Sequence, residues 1–139
     1  MPSVSKSVEL TGSQEDAFAL ATDPARFEEW LTLHDRWPEG VPGAPVQGES
    51  FRQGIKIMGM PADVAWTVES LEPGTKLVLK GSGPMGAQLA TTISADGPVV
   101  SYEAEFSGGG IQGPMGDMVT QKAGEEIEAS LGKLKELSA

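Results

Sequence analysis

The chain closes on one long amphipathic segment, Pro114 to Ala139, after a stretch in which residues alternate in the manner of strands. A helix with its side chains is about 10–12 Å wide, whereas five or six strands at about 4.8 Å spacing make a sheet roughly 25–30 Å across. One helix cannot cover such a sheet while it stays flat, so the sheet must curl. A curled antiparallel sheet wrapped round a helix hides its apolar face and leaves a pocket where strands and helix diverge. In the closing segment Met115, Met118, Val119, Ile127, Leu131 and Leu134 share one stripe, and Glu125, Glu126, Glu128, Lys133 and Glu136 lie elsewhere. Gly116 and Gly124 weaken its first half by about 1 kcal/mol each relative to alanine.

The elements ahead of the strands are short. Ser3 to Leu10 has Val4, Val8 and Leu10 on one face and predicts a first strand. Ser13 with Asp16 three residues on resembles a capping box and opens a helix through Ala17-Phe18-Ala19-Leu20-Ala21. A second start stands at Asp23-Pro24, leading into Phe27, Trp30 and Leu31 at i, i+3 and i+4 and ending near Leu33. His34 to Gly48 holds three prolines and three glycines with no periodicity, which predicts a long loop of the kind that often carries function.

From Glu49 onward the alternation returns in five sets: Phe51, Ile55, Ile57; Val64, Trp66, Val68; Leu77, Leu79; Leu89, Thr91, Ile93; and Val100, Tyr102, Ala104, Phe106. Turns at Gly59-Met60-Pro61, Glu72-Pro73-Gly74-Thr75, Gly83-Pro84-Met85-Gly86 and Asp96-Gly97-Pro98 join them into a meander. Successive turns alternate between the two ends of a meander. The first turn, the third turn and the exit from the last strand therefore lie together, and they carry Met58, Met60, Met85, Met115 and Met118, five of the six methionines. Unbranched, polarisable side chains beside glycine-rich connections fit either an adaptable apolar mouth or plugs for irregular gaps; only the mouth requires an adjoining cavity.

Composition narrows the function classes. At 139 residues one domain, 1–139, is expected. The absence of cysteine removes disulfides, thiolate nucleophiles and zinc-thiolate sites, and makes the cytoplasm the default. No apolar run approaches the roughly 20 residues of a membrane span, so no stable membrane insertion is expected. A formal charge of -10 repels phosphate backbones and anionic lipid surfaces, so nucleic acid is not an expected partner.

Motifs for chemistry are sparse. His34-Asp35-Arg36 is the one place where a histidine stands beside other titratable groups, and His34, Asp35 and Tyr102 are the candidate acid-base residues. No serine sits in a nucleophile elbow. The glycines at 108–110 precede a helix without the Lys-Ser/Thr pair of a phosphate loop, which reads as a hinge. One histidine with scattered carboxylates gives no metal-ligand spacing, and no cofactor motif is found. Trp30, Trp37 and Trp66 could line a pocket or fill a core, with Trp37 the one placed to touch a ligand from a loop.

The order of these elements resembles the START-like superfamily, the helix-grip or polyketide cyclase and lipid-transport group. Asp23-Pro24 with Phe27 and Trp30, Gly48 with Phe51, the run Val64 to Gly74, Leu77, Leu79, Gly81 and Ala95-Asp96-Gly97 carry the resemblance. More narrowly, Trp30 to His34 with Trp37, and Gly59-Met60-Pro61 leading to Trp66-Thr67, are similar to a small actinobacterial branch in which some members are labelled toxins of two-gene toxin-antitoxin systems. The resemblance implies an α+β helix-grip fold, with about six antiparallel strands curved round the closing helix and two short helices after strand 1. It also implies a cavity that other members use for lipids, sterols, polyketides and hormones.

Three functions stay open. The first is binding of a small hydrophobic or amphipathic ligand by Trp37, Phe51, Ile55, Met60, Trp66, Met85, Leu89, Tyr102, Met115, Met118 and Val119. The second is a toxin or other interaction protein with a small protein partner. The third is a cyclase- or hydrolase-like enzyme, for which no full catalytic set is matched.

Overall fold

The computed structural model describes residues 3–57, 60–83, 86–108 and 113–138, with the backbone alone at 57, 60 and 113–115. Seven strands form one antiparallel sheet: β1 (Ser3–Glu9), β2 (His34–Arg36), β3 (Ser50–Ile57), β4 (Met60–Glu72), β5 (Lys76–Ser82), β6 (Gln88–Asp96) and β7 (Val99–Ser107). Their order is β1-β7-β6-β5-β4-β3-β2, the meander plus a first strand that returns to pair with the last. Helix α1 (Gln14–Thr22), a 3-10 turn at Pro24–Arg26 and α2 (Phe27–Trp30) follow β1, and α3 (Gly113–Ser138) closes the chain. This is the helix-grip fold.

The local signals act as their chemistry demands. The Ser13 hydroxyl accepts the Asp16 amide at 3.1 Å, and Asp23 Oδ1 accepts the Ala25 amide at 3.0 Å, so both helix starts are capped by the expected residues. Three expectations change. The second helical stretch splits into a 3-10 turn and one α-turn ending at Trp30 rather than near Leu33. The loop expected from His34 begins with a three-residue strand, because β3 would otherwise leave its outer edge unpaired; His34 pairs with Ile55 and Arg36 with Gly54. The sheet therefore has seven strands, one more than the alternation predicts. Met60 and Pro61 belong to β4 rather than to a turn, with Met60 opposite Ile57.

Curvature has two local sources. β4 runs for 13 residues and slips register between Val68 and Ser70, a bulge that bends the strand. Opposite Trp66, β5 carries Gly81, where a Cβ would lie 2.6 Å from Trp66 Cε3 and 2.8 Å from Val64 Cγ1. The six-membered edge of the indole thus occupies the space that a side chain on β5 would take. Its N–H reaches the opposite way to Gln53 on β3 at 3.0 Å, so one ring lies flat across three strands.

α3 buries Val119, Ala123, Ile127, Leu131 and Leu134, and turns the buried Ser130 to Thr32. Ala123 joins the stripe, whereas Met118 is 48 % exposed, since it stands about 100° round the helix from Val119. Side-chain hydrogen bonds tie the second half of α3 to the body. The Thr32 amide donates to Ser130 Oγ at 2.8 Å, the Thr32 hydroxyl meets the Glu126 carbonyl and carboxylate, and the Thr11 amide donates to Ser138 Oγ at 3.1 Å.

Gly81→Ala tests the seating of Trp66. It is expected to destabilise by about 1–3 kcal/mol through overpacking, read as a lower melting temperature with the fold retained. Wild-type stability in that variant would show that the ring needs no gap in β5.

Candidate functional site

Inward parity on the strands builds the site. Phe51, Gln53 and Ile55 on β3, Val64 and Trp66 on β4, Leu89 and Thr91 on β6 and Tyr102 on β7 all take the concave side, facing α3. Around one margin runs an aromatic belt. Phe51 meets Trp37 at 6.0 Å between ring centroids, Trp37 stacks on Phe27 at 5.8 Å, Phe27 meets Trp30 edge-on at 5.8 Å, and Trp30 meets Tyr102 edge-on at 6.4 Å. Trp37, expected on a loop, is the half-buried centre of that belt and lies 4.7 Å from the His34 ring.

A hydrogen-bond chain links the interior to this margin. An indole N–H can only donate, so Trp66 fixes Gln53 Oε1 as acceptor and turns the Gln53 NH₂ toward His34 Nδ1, 2.9 Å away. His34 must then accept at Nδ1 and carry its proton on Nε2. A protonated ring would set two donors against each other. Burial lowers the His34 pKa, while the carboxylates of Glu28 and Asp35 pull it up in part. Gln53, 4 % exposed, was not singled out from the sequence. Its inward parity between Phe51 and Ile55 was the available signal, a polar residue at an apolar position.

Of the other candidate acid-base residues, Asp35 is exposed on β2. Tyr102 is buried, and burial pushes its phenol up to about 12, with the Thr91 hydroxyl lowering it in part. At neutral pH that phenol is a hydrogen-bond donor. No hydrogen bond among the described residues joins His34, Asp35 and Tyr102: His34 faces Gln53, Phe27 and Trp37, whereas Tyr102 faces Trp30 and Thr91. Trp30 has its indole N–H buried without a partner among the described residues.

Strand register puts the β3–β4 and β5–β6 connections and the exit of β7 at one end: Ile57 faces Met60, Ser82 faces Gln88, and Gln88 faces Ser107. Of the methionines expected there, Met58 and Met85 lie outside the described residues, as do the side chains of Met60 and Met115; Met118 points to solvent. Two concavities are described elsewhere. One, of about 420 Å³, lies between α1 and the β4–β5 turn, lined by Phe18, Thr22, Pro45, Leu71 and Pro73. The other, of about 520 Å³, opens on the outer face of β3–β5. No helix among the described residues is long and apolar enough to cross a membrane.

Two variants probe the chain from Trp66 to His34. Gln53→Leu strands the indole N–H and is expected to cost about 1–3 kcal/mol. For His34, whose folded pKa lies below the ordinary 6.5, both folded and unfolded forms are neutral above that value. As pH falls through 6.5 the unfolded chain takes the proton first, so stability is lost down to the folded pKa. Melting temperatures at about pH 7.5 and 5 should therefore converge between wild type and His34→Gln as pH drops. A constant difference would remove His34 from the acid response.

Comparison with known proteins places this geometry. A family described as polyketide cyclase / dehydrase and lipid transport matches residues 1–139. A Mycobacterium tuberculosis protein named Toxin Rv0910 is 28% identical over 135 residues, covering 94% of each chain. Among solved structures, the Zhui aromatase/cyclase from Streptomyces sp. R1128 superposes with a TM-score of 0.74 at 11% identity, over 98% of this chain and 92% of that one. A START superfamily protein from Mycobacterium smegmatis gives 0.66 at 18% identity, over 97% and 98%. With its curled sheet, its gripped helix and a match along its whole length, the chain belongs to the polyketide cyclase / dehydrase and lipid transport family.

Proposed function

We propose that the protein binds a small apolar or amphipathic molecule, lipid- or polyketide-like, between the concave face of the sheet and α3. The observation that carries this reading is the Trp30 indole N–H: at 1 % exposure the residue is sealed from solvent, and the donor has no partner among the described residues. Native interiors pair nearly all their buried donors, and one left unpaired costs about 1–3 kcal/mol. A ligand oxygen that accepts this N–H converts that cost into affinity. Tyr102 packs edge-on against Trp30, and its phenol, neutral at physiological pH and near Thr91, can also donate. The apolar body of the ligand then rests on inward side chains such as Leu89 and Val119, an arrangement of few polar anchors in an apolar wall that small-molecule sites share. The family's description in terms of polyketides and lipids supports the same class.

A second reading, the toxin or interaction partner of a two-gene system, is supported by the toxin name of a relative and can coexist with ligand binding. Acid-base catalysis has less support, because His34, Asp35 and Tyr102 do not form one cluster.

Native mass spectrometry of freshly purified protein is expected to reveal an adduct of lipid or polyketide mass, and a panel of fatty acids, sterols and aromatic polyketides should raise the melting temperature. Trp30→Phe keeps the ring and deletes the donor. The ligand-free variant should melt at or above wild type, while the ligand-induced rise falls to about half or less. Absence of both adduct and shift across the panel would defeat the proposal, and equal shifts in the two proteins would remove Trp30 from the site.

A further inference from the structure

The outer face of the sheet holds a second constellation, independent of the interior. Two of the chain's three arginines, Arg36 and Arg52, line the 520 Å³ groove there, although the chain as a whole is at -10. Small residues make the groove. Arg52, Ala65 and Ser82 form one cross-strand row on β3, β4 and β5, so a methyl group is the floor between a guanidinium and a hydroxyl. In the next row Gly54 faces Asp63, and the missing side chain lets Arg36 lie across β3: a Cβ on Gly54 would come within 2.8 Å of Arg36 Cγ. Arg36 thereby reaches β4, where its Nη2 donates to both oxygens of Asp63, at 3.0 and 3.3 Å.

That grip uses one corner of the Arg36 guanidinium, and its other donors have no partner among the described residues. The third arginine, Arg26, is paired with Glu29, and Lys80 with Glu69. Arg52 has no carboxylate partner among the described residues. With Asp63 counted, the groove carries one net positive charge. This suits a single carboxylate better than a phosphate dianion, and the strongly negative remainder of the molecule repels polyanions such as nucleic acid or an acidic membrane. The groove is also far larger than one carboxylate, and it lies beside β2, the last strand of the sheet. We propose that this groove binds an acidic side chain of a partner protein, presented on an extended segment, with Arg52 and the remaining donors of Arg36 gripping the carboxylate and Ser82 donating its hydroxyl.

The test is a titration of ¹⁵N-labelled protein followed by NMR, using the peptide acetyl-Ala-Ala-Glu-Ala-Ala-amide, its Gln counterpart, free N-acetylglutamate and inorganic phosphate. The Glu peptide is expected to shift the amides of Ala65, Ser82 and Gly83, and the Gln peptide to leave them in place. Arg52→Gln should weaken the Glu peptide about tenfold, since it removes a charge-assisted hydrogen bond. Asp63→Asn should tighten it about threefold or more, because it removes the negative charge beside the bound carboxylate. Both positions are exposed, and the spectra of the variants report whether the fold is intact. Equal shifts from the Gln peptide, or an Arg52→Gln protein that binds as wild type does, would overturn the proposal. Tighter binding of phosphate would overturn its carboxylate selectivity, and N-acetylglutamate binding as tightly as the peptide would overturn the extended segment. None of these outcomes bears on the interior site.

Discussion

The structure depends on the way one indole is laid across three strands. Trp66 fills the gap above Gly81 on β5 and spends its N–H on Gln53 of β3, so the middle of the sheet is held at a fixed spacing by a rigid plate. With the register slip at Val68 and Ser70, this bends the sheet round α3, with α1 packed beside it on β6 and β7. The aromatic belt from Phe51 to Tyr102 and the packing of α3 both follow from that bend.

The fold was largely legible because its signals are periodic or local. Alternation exposed six of the strands, caps at Ser13 and Asp23 marked the helix starts, and the width of the sheet against one helix required the curl. Strand β2 was not legible. Three residues carry no period, and His34–Arg36 is a strand only because β3 needs an edge partner. Helix phase is legible to within a residue: the buried stripe includes Ala123, which hydropathy marks only weakly, and Met118 flanks it.

The candidate site was legible in part, for a different reason. Parity on the strands gave Phe51, Ile55, Trp66, Leu89 and Tyr102, all of which take the concave side. Which polar groups meet there depends on contacts distant in sequence, as between Gln53 and both Trp66 and His34, or between Trp30 and Tyr102. The outer groove was hidden for the same reason, since Gly54 gains meaning only once Arg36 is seen lying over it.

The ties on α3 are unevenly distributed. Thr32 holds Glu126 and Ser130, and Thr11 holds Ser138, whereas among the described residues the turns before Glu126 are held by packing alone. The second half of the helix is thus registered against the body by directional contacts, and its first half by shape alone. A substitution ahead of Glu126 therefore removes apolar packing but no side-chain hydrogen bond from the helix to the body among the described residues.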